Sequence, residues 1–350
     1  MVIATAATAD TLRIATYHTE LSRDGPGLLL RDITGEDDQS RAVAKVIATA
    51  APDILLLTGF DYDAGRLALT ALRDRIAAEG GPAYPHLFAL PPNRGVPSGL
   101  DLNRDGLLGG PDDALGYGEF AGQAGMALLS MYPVEATGVM DLSGLLWRDL
   151  PGATLPVLPD GTSFYADNAL ELLPLSTTGH WMVPVDTPNG LVTLMAFYAT
   201  TPVFDGPEDR NGLRNRDELR LWQLVLDGSL AAAPSGPFVI LGNANLDPVD
   251  GAGYPEAMRS LLSDLRLQDP APSSAGGAAA ADPTQSGPSG QDTADWPEPD
   301  PGNLRVDYVL PSANLHVVES GVFWPDPGDP LADTVTTASR HRLVWVDLEN

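Results

Sequence analysis

Imidazole, amide and guanidinium groups stand at the ends of several apolar runs of this 350-residue sequence. His18 closes the run 12–18, Asn243 and Asn245 follow the run 238–241, and Arg340 and His341 precede the last apolar run. Such side chains bind and orient anions, and imidazole also carries protons near neutral pH. A hard dication such as Mg²⁺ needs anionic oxygens instead, and these five residues supply none. If the fold brings them into one cleft, His18, Arg340 and His341 are suited to hold an anion such as phosphate.

Four motifs, in order along the chain, carry a resemblance to a known family. Residues 12–18, Leu-Arg-Ile-Ala-Thr-Tyr-His, are similar to a first strand that ends in a catalytic Asn, and residues 52–61 resemble a second strand in which a metal-binding Glu precedes Phe. Residues 242–248 are similar to a Gly-Asp-x-Asn turn, and residues 339–341 to a terminal Ser-Asp-His. The chain thus resembles the bacterial branch of the endonuclease/exonuclease/phosphatase superfamily, with its pancreatic deoxyribonuclease-like fold. This resemblance implies a four-layered α/β sandwich, two packed mixed β-sheets flanked by helices.

The resemblance also implies that most catalytic positions are substituted. In active relatives a Glu binds Mg²⁺, an Asp and its partner activate water, and a His and an Asn stabilise the phosphorus. The matching positions read His18 for Asn, Gly59 for Glu, Ala124 for Tyr, Tyr198 for His, Asn243 for Asp and Arg340 for Asp, whereas Asn245 and His341 keep the family residue. An amide cannot act as a base, and a cation repels Mg²⁺. We therefore expect the Mg²⁺ site to be lost, and Arg340 to stand where a carboxylate should orient His341.

Two functional hypotheses follow from these substitutions. In the first, the chain is a catalytically degenerate pseudoenzyme with an anion-binding or structural role. In the second, it is an active divalent-metal-dependent phosphoesterase or nuclease with a relocated metal site. Candidate ligands for such a site are Asp61, Asp63, Asp205 and Asp247.

Residues 101–112 have the spacing of a calcium loop. Asp101, Asn103 and Asp105 offer side-chain oxygens at alternate positions, Gly106 is the sixth residue, and Asp112 is the twelfth. A turn rich in Asp and Asn that binds no ion explains the same residues. A Ca²⁺ ion bound here would be structural.

Two further features have both a functional and a structural interpretation. Residues 200–215 resemble a signature of the bacterial branch, and they either contact substrate or form a loop capped by Asp205 and Asn215. His180 either lines the cleft or is a satisfied structural histidine, whereas His86 and His316 are expected to be surface or strand residues.

Charge and composition restrict the partners. The 20 basic and 47 acidic residues give a net charge of -27, which repels polyanions, so nucleic acid is not expected as a partner. No apolar run is long enough to cross a membrane. There is no cysteine to indicate a redox compartment. Residues 1–10, which end near Ala7-Thr8-Ala9, are either a loose N-terminus or the remnant of a secretory signal, and the latter would make the protein secreted or periplasmic.

Hydrophobic patterning predicts a single domain over residues 11–350 in which strands and helices alternate. Residues 84–120 are predicted to be a long loop, and residues 270–302 a mobile insertion, because Pro, Ala, Gly, Ser and Asp dominate there. The cleft is expected at the strand ends that carry His18, Gly59, Asn243 and His341. Strands are predicted at 11–21, 54–57, 125–130, 170–175, 190–200, 238–241, 305–310 and 342–348, and helices at 40–51, 66–79, 215–226 and 255–262.

Overall fold

Two β-sheets and the helices around them make up the part of the chain that the computed structural model describes, residues 11–298 and 300–349. The predicted N-terminal remnant, residues 1–10, lies outside these ranges. The strands are β1 Thr11–Leu21, β2 Ile54–Phe60, β3 His86–Phe88, β4 Gly125–Ser130, β5 Met140–Asp141, β6 Gly179–Thr187, β7 Gly190–Tyr198, β8 Phe238–Asn243, β9 Asp307–Pro311, β10 Val317–Val322 and β11 Val344–Glu349. The helices are α1 Leu28–Thr34, α2 Asp38–Ala50, α3 Leu67–Ala78, α4 Asp167–Leu170, α5 Arg210–Leu226, α6 Pro255–Leu262, α7 Ala275–Ala279 and α8 Ala332–Ala338.

Each sheet mixes parallel and antiparallel pairs. The first sheet has the order β10-β11-β1-β2-β4-β3, and the second has the order β5-β6-β7-β8-β9. Within them β1 runs parallel to β2, and β7 runs parallel to β8, while their other neighbours are antiparallel. The carboxyl ends of the parallel strands therefore meet at one edge of each sheet.

The layers follow from the alternation of side chains along these strands. Ile14 of β1 and Leu56 of β2 point between the sheets, where they join Val239 and Leu241 of β8 in one buried cluster. Their neighbours point outward, so that β2 is apolar on both faces and fully buried, as expected for a strand covered on both sides. Helices α1, α2, α3 and α8 cover the outer face of the first sheet, and α5 and α6 cover that of the second. This is the predicted four-layered α/β sandwich.

The prediction of a strand at 170–175 is wrong. Residues Asp167–Leu170 form the short helix α4, and the following residues continue as a turn into β6. Leu173 and Leu175 are buried against α5 side chains such as Leu221 rather than paired in a sheet. The apolar run reflects this burial, which a short sequence pattern cannot distinguish from a strand.

The insertion at 270–302, which was predicted to be mobile, makes many hydrogen bonds to the rest of the chain in the structure. It contains α7, and its residues Thr293 and Ala294 are fully buried. The amide of Arg342 donates to the carbonyl of Thr293 at 2.7 Å, and the amide of Asp295 donates to the carbonyl of Arg340 at 2.9 Å. The segment packs through its backbone and a few side chains, so its low apolar content did not indicate these contacts.

In the described ranges, no helix has the length and apolarity needed to span a membrane.

Candidate functional site

The residues predicted to form the site come together where the two sheets meet. His18 lies near the end of β1, Gly59 near the end of β2, and Tyr198 and Asn243 at the ends of β7 and β8. Tyr198 and Asn243 are register partners. The rings of His18 and Tyr198, one from each sheet, are edge to face with centroids 5.1 Å apart. These predicted positions therefore lie between the two sheets, with residues from each.

Gly59 and His18 share one space. The pairing of β2 with both neighbours is irregular at Gly59, which has a φ of 65°. A Cβ atom on Gly59 would lie 2.7 Å from Cε1 of His18. The imidazole is held there by a 3.0 Å hydrogen bond between Nδ1 and the Thr58 hydroxyl. The His18 ring thus fills the volume that a side chain at position 59 would need.

His341 is oriented by a carboxylate that the sequence analysis did not identify. Its Nδ1 atom lies 2.7 Å from Oδ2 of Asp307, the first residue of β9, and both side chains are buried. Thr293 donates a second hydrogen bond to the same oxygen at 3.1 Å. The expectation that Arg340 deprives His341 of its carboxylate partner is therefore wrong, because Asp307 occupies that role. The sequence did contain a signal for this role, because Asp307 is a charged residue inside the apolar run 305–310.

Arg340 turns away from His341 and pairs with Glu20. Its Nε donates to Oε1 of Glu20 at 2.8 Å, its Nη2 contacts the same oxygen, and its backbone amide donates to Oε2 at 2.8 Å. Burial opposes ionisation of Glu20, but these hydrogen bonds from Arg340 outweigh it and lower the pKa of the carboxyl group. Glu20 therefore neutralises Arg340, which was predicted to contact a bound anion.

The two amides of the turn after β8 serve mainly to hold the backbone. The side-chain oxygen of Asn243 accepts the Asn245 amide at 2.8 Å, and Asn245 donates to the carbonyl of Ala199 at 2.9 Å. Ala124, which precedes β4, has a φ of 46° and donates its amide to Asp61 at 2.9 Å. Its methyl side chain cannot make the hydrogen bonds that the hydroxyl group of the family tyrosine could make. These positions shape the cleft without offering it a charge.

Burial, together with positive charge beside the cleft, keeps His18 neutral by lowering its pKa. Burial lowers the pKa of His18 well below its usual value, and the nearby His341, Arg94 and Arg340 lower it further. The Arg94 guanidinium lies over the Tyr198 ring at 4.7 Å. Burial raises the pKa of Tyr198, although Arg94 opposes this. Neither His18 nor Tyr198 is thus ionised near neutral pH.

Known proteins resemble this chain in sequence and in fold. A sequence model of the Endonuclease/Exonuclease/phosphatase family matches residues 25–341. The chain belongs to this family. No curated protein sequence matches it. Solved family structures share its fold at low identity: one from Beutenbergia cavernae DSM 12333 has a TM-score of 0.55 and 20% identity, covering 97% of this chain and 71% of that chain.

Two further solved structures have the same architecture. An endonuclease/exonuclease/phosphatase family protein from Leptotrichia buccalis C-1013-b has a TM-score of 0.51 and 14% identity, covering 97% of this chain and 100% of that chain. An AP endonuclease from Archaeoglobus fulgidus has a TM-score of 0.51 and 13% identity, with the same coverages. At these identities the likeness supports the fold of this endonuclease/exonuclease/phosphatase family member and does not extend to its substrate.

The Mg²⁺ ion that the endonuclease/exonuclease/phosphatase family implies does not fit the residues present. Gly59 offers no oxygen, Asn243 uses its oxygen on a backbone amide, and Glu20 is paired with Arg340. In residues 11–298 and 300–349, no group of three or more His, Asp or Glu side chains is placed to hold a metal. The loss of the Mg²⁺ site remains a prediction, for which this donor set is the structural argument.

The four alternative ligands are engaged in backbone capping. Asp61 accepts the amides of Ala124 and Arg23, and Asp63 accepts two amides at the start of α3. Asp205 accepts the Asn211 amide, and Asp247 accepts three amides, including that of Arg305. Each carboxylate thus has a structural role where it stands.

The insertion contributes a wall to the same cleft. The Trp296 ring meets the His341 ring edge to face at 5.1 Å. The carboxylate of Asp295 pairs with the buried guanidinium of Arg342 at 2.8 Å. Trp296 therefore restricts access to His341 from the side of residues 293–304.

The calcium-loop residues form a turn whose polar groups bind one another. Asp101 accepts the amides of Asp105 and Gly106 at 3.1 and 2.9 Å. Asp112 lies 3.9 Å from Arg210, while its neighbour Asp113 accepts two amides of the loop. Asn103 also accepts the Asp105 amide. A calcium ion at Asp101, Asn103, Asp105 and Asp112 remains a prediction.

Helix α5, which follows the signature segment, anchors the loops behind the cleft. Asn215 donates to the carbonyls of Thr200 and Ala244, and Asp205 accepts the amide of Asn211 near the start of the helix. Glu218 accepts the amides of Thr177 and Thr200 at 2.9 and 2.6 Å, and burial raises its pKa to about 7. These contacts favour the interpretation of the signature as a structured loop.

Two roles were considered for His180, and its contacts favour the structural one. It is fully buried, with Nδ1 2.9 Å from the Ser176 hydroxyl and Nε2 3.2 Å from the carbonyl of Glu218. Burial lowers its pKa to about 3, so the ring is neutral. His86 begins β3, and His316 is exposed beside Glu349.

Proposed function

We propose that this chain is a member of the endonuclease/exonuclease/phosphatase family that has lost metal-dependent hydrolysis and retains the fold as a binding protein. The observation that carries the proposal is the His18 ring in the volume a side chain at position 59 would need. Since position 59 matches the metal-binding Glu of active relatives, filling that volume with a neutral ring removes both the ligand and its space. Asn243 and the Arg340–Glu20 pair remove two further anionic positions.

One observation favours the alternative of an active phosphoesterase. The pair formed by His341 and Asp307 is intact and buried, and such a pair fixes an imidazole so that it can transfer a proton. A relocated metal site would be needed beside it to offset charge on a phosphorane. The four candidate carboxylates are bound to backbone amides, so this alternative needs them to rearrange.

Hydrolysis of bis(p-nitrophenyl) phosphate separates the two functions. The proposal expects no rate above buffer in the presence of Mg²⁺ or Mn²⁺. The alternative expects a metal-stimulated rate that a chelator removes and that His341→Ala lowers by about a hundredfold or more. A rate equal in the wild type and His341→Ala would come from a contaminating hydrolase, and it would leave the wild-type chain without measurable activity of its own.

Restoring the family residues tests the same proposal from the other direction. Gly59→Glu alone should give no hydrolysis, because the carboxylates at 243 and 340 are still missing and these groups act as a unit. The variant with His18→Asn, Gly59→Glu, Ala124→Tyr, Tyr198→His, Asn243→Asp and Arg340→Asp is expected to gain metal-dependent activity. A folded six-fold variant that binds Mg²⁺ and remains inactive would show that the scaffold itself is incompetent.

A further inference from the structure

A second cavity lies beside the family cleft and is separated from it by a ridge of side chains. Its volume is about 610 Å³, within the range of small-molecule sites. Tyr198, Val203 and Phe204 line both spaces, so this ridge divides them. The loop that carries Arg94 and the first turns of α5 form the far walls.

The two spaces differ in charge. The cavity is lined by Arg94, Arg210 and Arg214 against the single carboxylate of Asp112. The family cleft is lined by Glu20, Asp247, Asp250 and Asp300 against Arg340. In a chain with a net charge of -27, the cavity is a local positive region, and a small anion would favour it over the cleft.

Arg94 is held ready for a ligand. Its Nε donates to the Thr178 hydroxyl at 2.9 Å and its guanidinium stacks on Tyr198, yet within the described ranges it forms no ion pair. Its loop is fixed, because Asn93 donates to the carbonyls of Ser143 and Ser176 and a Cβ on Gly95 would collide with the Phe120 carbonyl. A planar guanidinium with free N–H groups, positioned in advance, matches the two oxygens of a carboxylate or phosphate.

Of the other two arginines, Arg214 adds positive charge to the cavity, whereas Arg210 is largely neutralised by Glu208 and Asp112. Arg214 is buried in the floor and donates to the carbonyls of Leu175, Leu115 and Pro174 instead of to a carboxylate. Arg210 pairs with Glu208 at 2.9 Å. Arg94 therefore makes the direct contact, and the floor adds a fixed positive field.

The rim of the cavity is aromatic. Tyr117 is 57% exposed and Phe204 is 86% exposed. Large aromatic side chains exposed at the mouth of a cavity offer an apolar face to a ligand. We propose that this cavity binds a small organic oxyanion, a phosphate ester or carboxylate with an aromatic body, with its anionic group on Arg94.

Calorimetric titration with phenyl phosphate, benzoate and inorganic phosphate tests this site. Wild-type protein is expected to bind phenyl phosphate or benzoate more tightly than inorganic phosphate, and the preferred one of the two shows whether the cavity favours a phosphate ester or a carboxylate. Arg94→Gln should weaken binding by about tenfold or more, the effect of losing a charge-assisted hydrogen bond. Phe204→Ser should weaken binding of the aromatic probes and leave that of inorganic phosphate unchanged.

The controls keep the test decisive. Arg259→Gln makes the same charge change on an exposed arginine of α6, and it should leave the affinity within about twofold. Arg210→Gln provides a second cavity variant if Arg94→Gln fails to fold. If neither aromatic probe binds at concentrations up to about 10 mM, the proposal is overturned, because an affinity weaker than this does not indicate a specific site. A loss of binding in Arg340→Gln with Arg94→Gln unaffected would also overturn it, because the ligand would then lie in the family cleft. Neither result depends on whether the chain hydrolyses phosphodiesters.

Discussion

Replacing Gly59 with Glu should destabilise the protein for two separable reasons. The backbone at Gly59 is in the left-handed region, where a residue with a Cβ costs about 1–2 kcal/mol. The new Cβ would also lie 2.7 Å from the His18 ring, which the Thr58 hydrogen bond and the neighbouring His341 ring at 4.2 Å prevent from moving freely. Overpacking of this kind costs about 1–3 kcal/mol. The sum is about 2–5 kcal/mol.

Differential scanning calorimetry of four variants, Gly59→Glu, Gly80→Glu, His18→Asn and the His18→Asn, Gly59→Glu double variant, measures both parts. For 350 residues the unfolding entropy is about 0.7 kcal/mol/K, so Gly59→Glu should lower Tm by about 3–7 °C. Gly80→Glu is the matched control, since Gly80 has a φ of 84° and its Cβ would meet no atom within 4 Å. It should lower Tm by about 1–3 °C, which reports the backbone strain alone.

The His18→Asn, Gly59→Glu double variant completes the comparison. Because Asn is smaller than His and leaves room for the new side chain, the double variant should recover the overpacking part, a coupling of about 1–3 kcal/mol. If Gly59→Glu melts like Gly80→Glu, or if the two substitutions at the site are additive, the argument that His18 blocks position 59 is refuted.

Three further outcomes are expected. Burial raises the pKa of Glu218 in the folded protein to about 7, so its contribution to stability is present at pH values below its ordinary pKa and is lost as pH rises toward 7. In thermal melts, the wild type should therefore lose about 2–3 kcal/mol of stability relative to Glu218→Gln between about pH 5 and pH 8. A stability difference that does not change with pH would mean that Glu218 is ionised throughout. Asp295→Ala should lower stability by about 1–2 kcal/mol because Arg342 is left buried without its partner, whereas Asp149→Ala, which removes the exposed pair with Arg148, should have almost no effect on Tm; equal effects would show that the insertion adds little. Millimolar Ca²⁺ should raise the Tm of ion-free protein by mass action and should not raise that of Asp101→Asn; an identical Tm with Ca²⁺ and with chelator would leave residues 101–112 as an Asx-rich turn.

Most elements of the fold could be predicted because their signals are local. The bounds of β1, β4 and α6 agree with the sequence predictions at 11–21, 125–130 and 255–262. β4 begins at a Gly and α6 at a Pro, residues that mark the ends of such elements in the sequence. The apolar run at 170–175 had the composition of a strand, but its side chains fill the core beneath α5.

Some residues of the candidate site could be predicted from the sequence, and others could not. His18, Gly59, Asn243 and His341 were predicted to meet because the family resemblance places these positions at strand ends around one cleft. Glu20 and Asp307 were missed, since each finds its partner, Arg340 or His341, about 320 and 34 positions away along the chain. Only the register of the sheets brings these charges together. A carboxylate within a buried strand is the signal to seek in such chains.

The Thr293 hydroxyl is a small feature with a wide effect. It accepts the amides of Val306 and Asp307 and donates to the Asp307 carboxylate, while the backbone of Thr293 receives the Arg342 amide. Opening the segment around Thr293 would therefore release the carboxylate, the imidazole and the last turn before β11 in a single step. We therefore expect the insertion and the His341–Asp307 pair to open together in local unfolding, so that a molecule bound to Trp296 would change how long the imidazole remains in place.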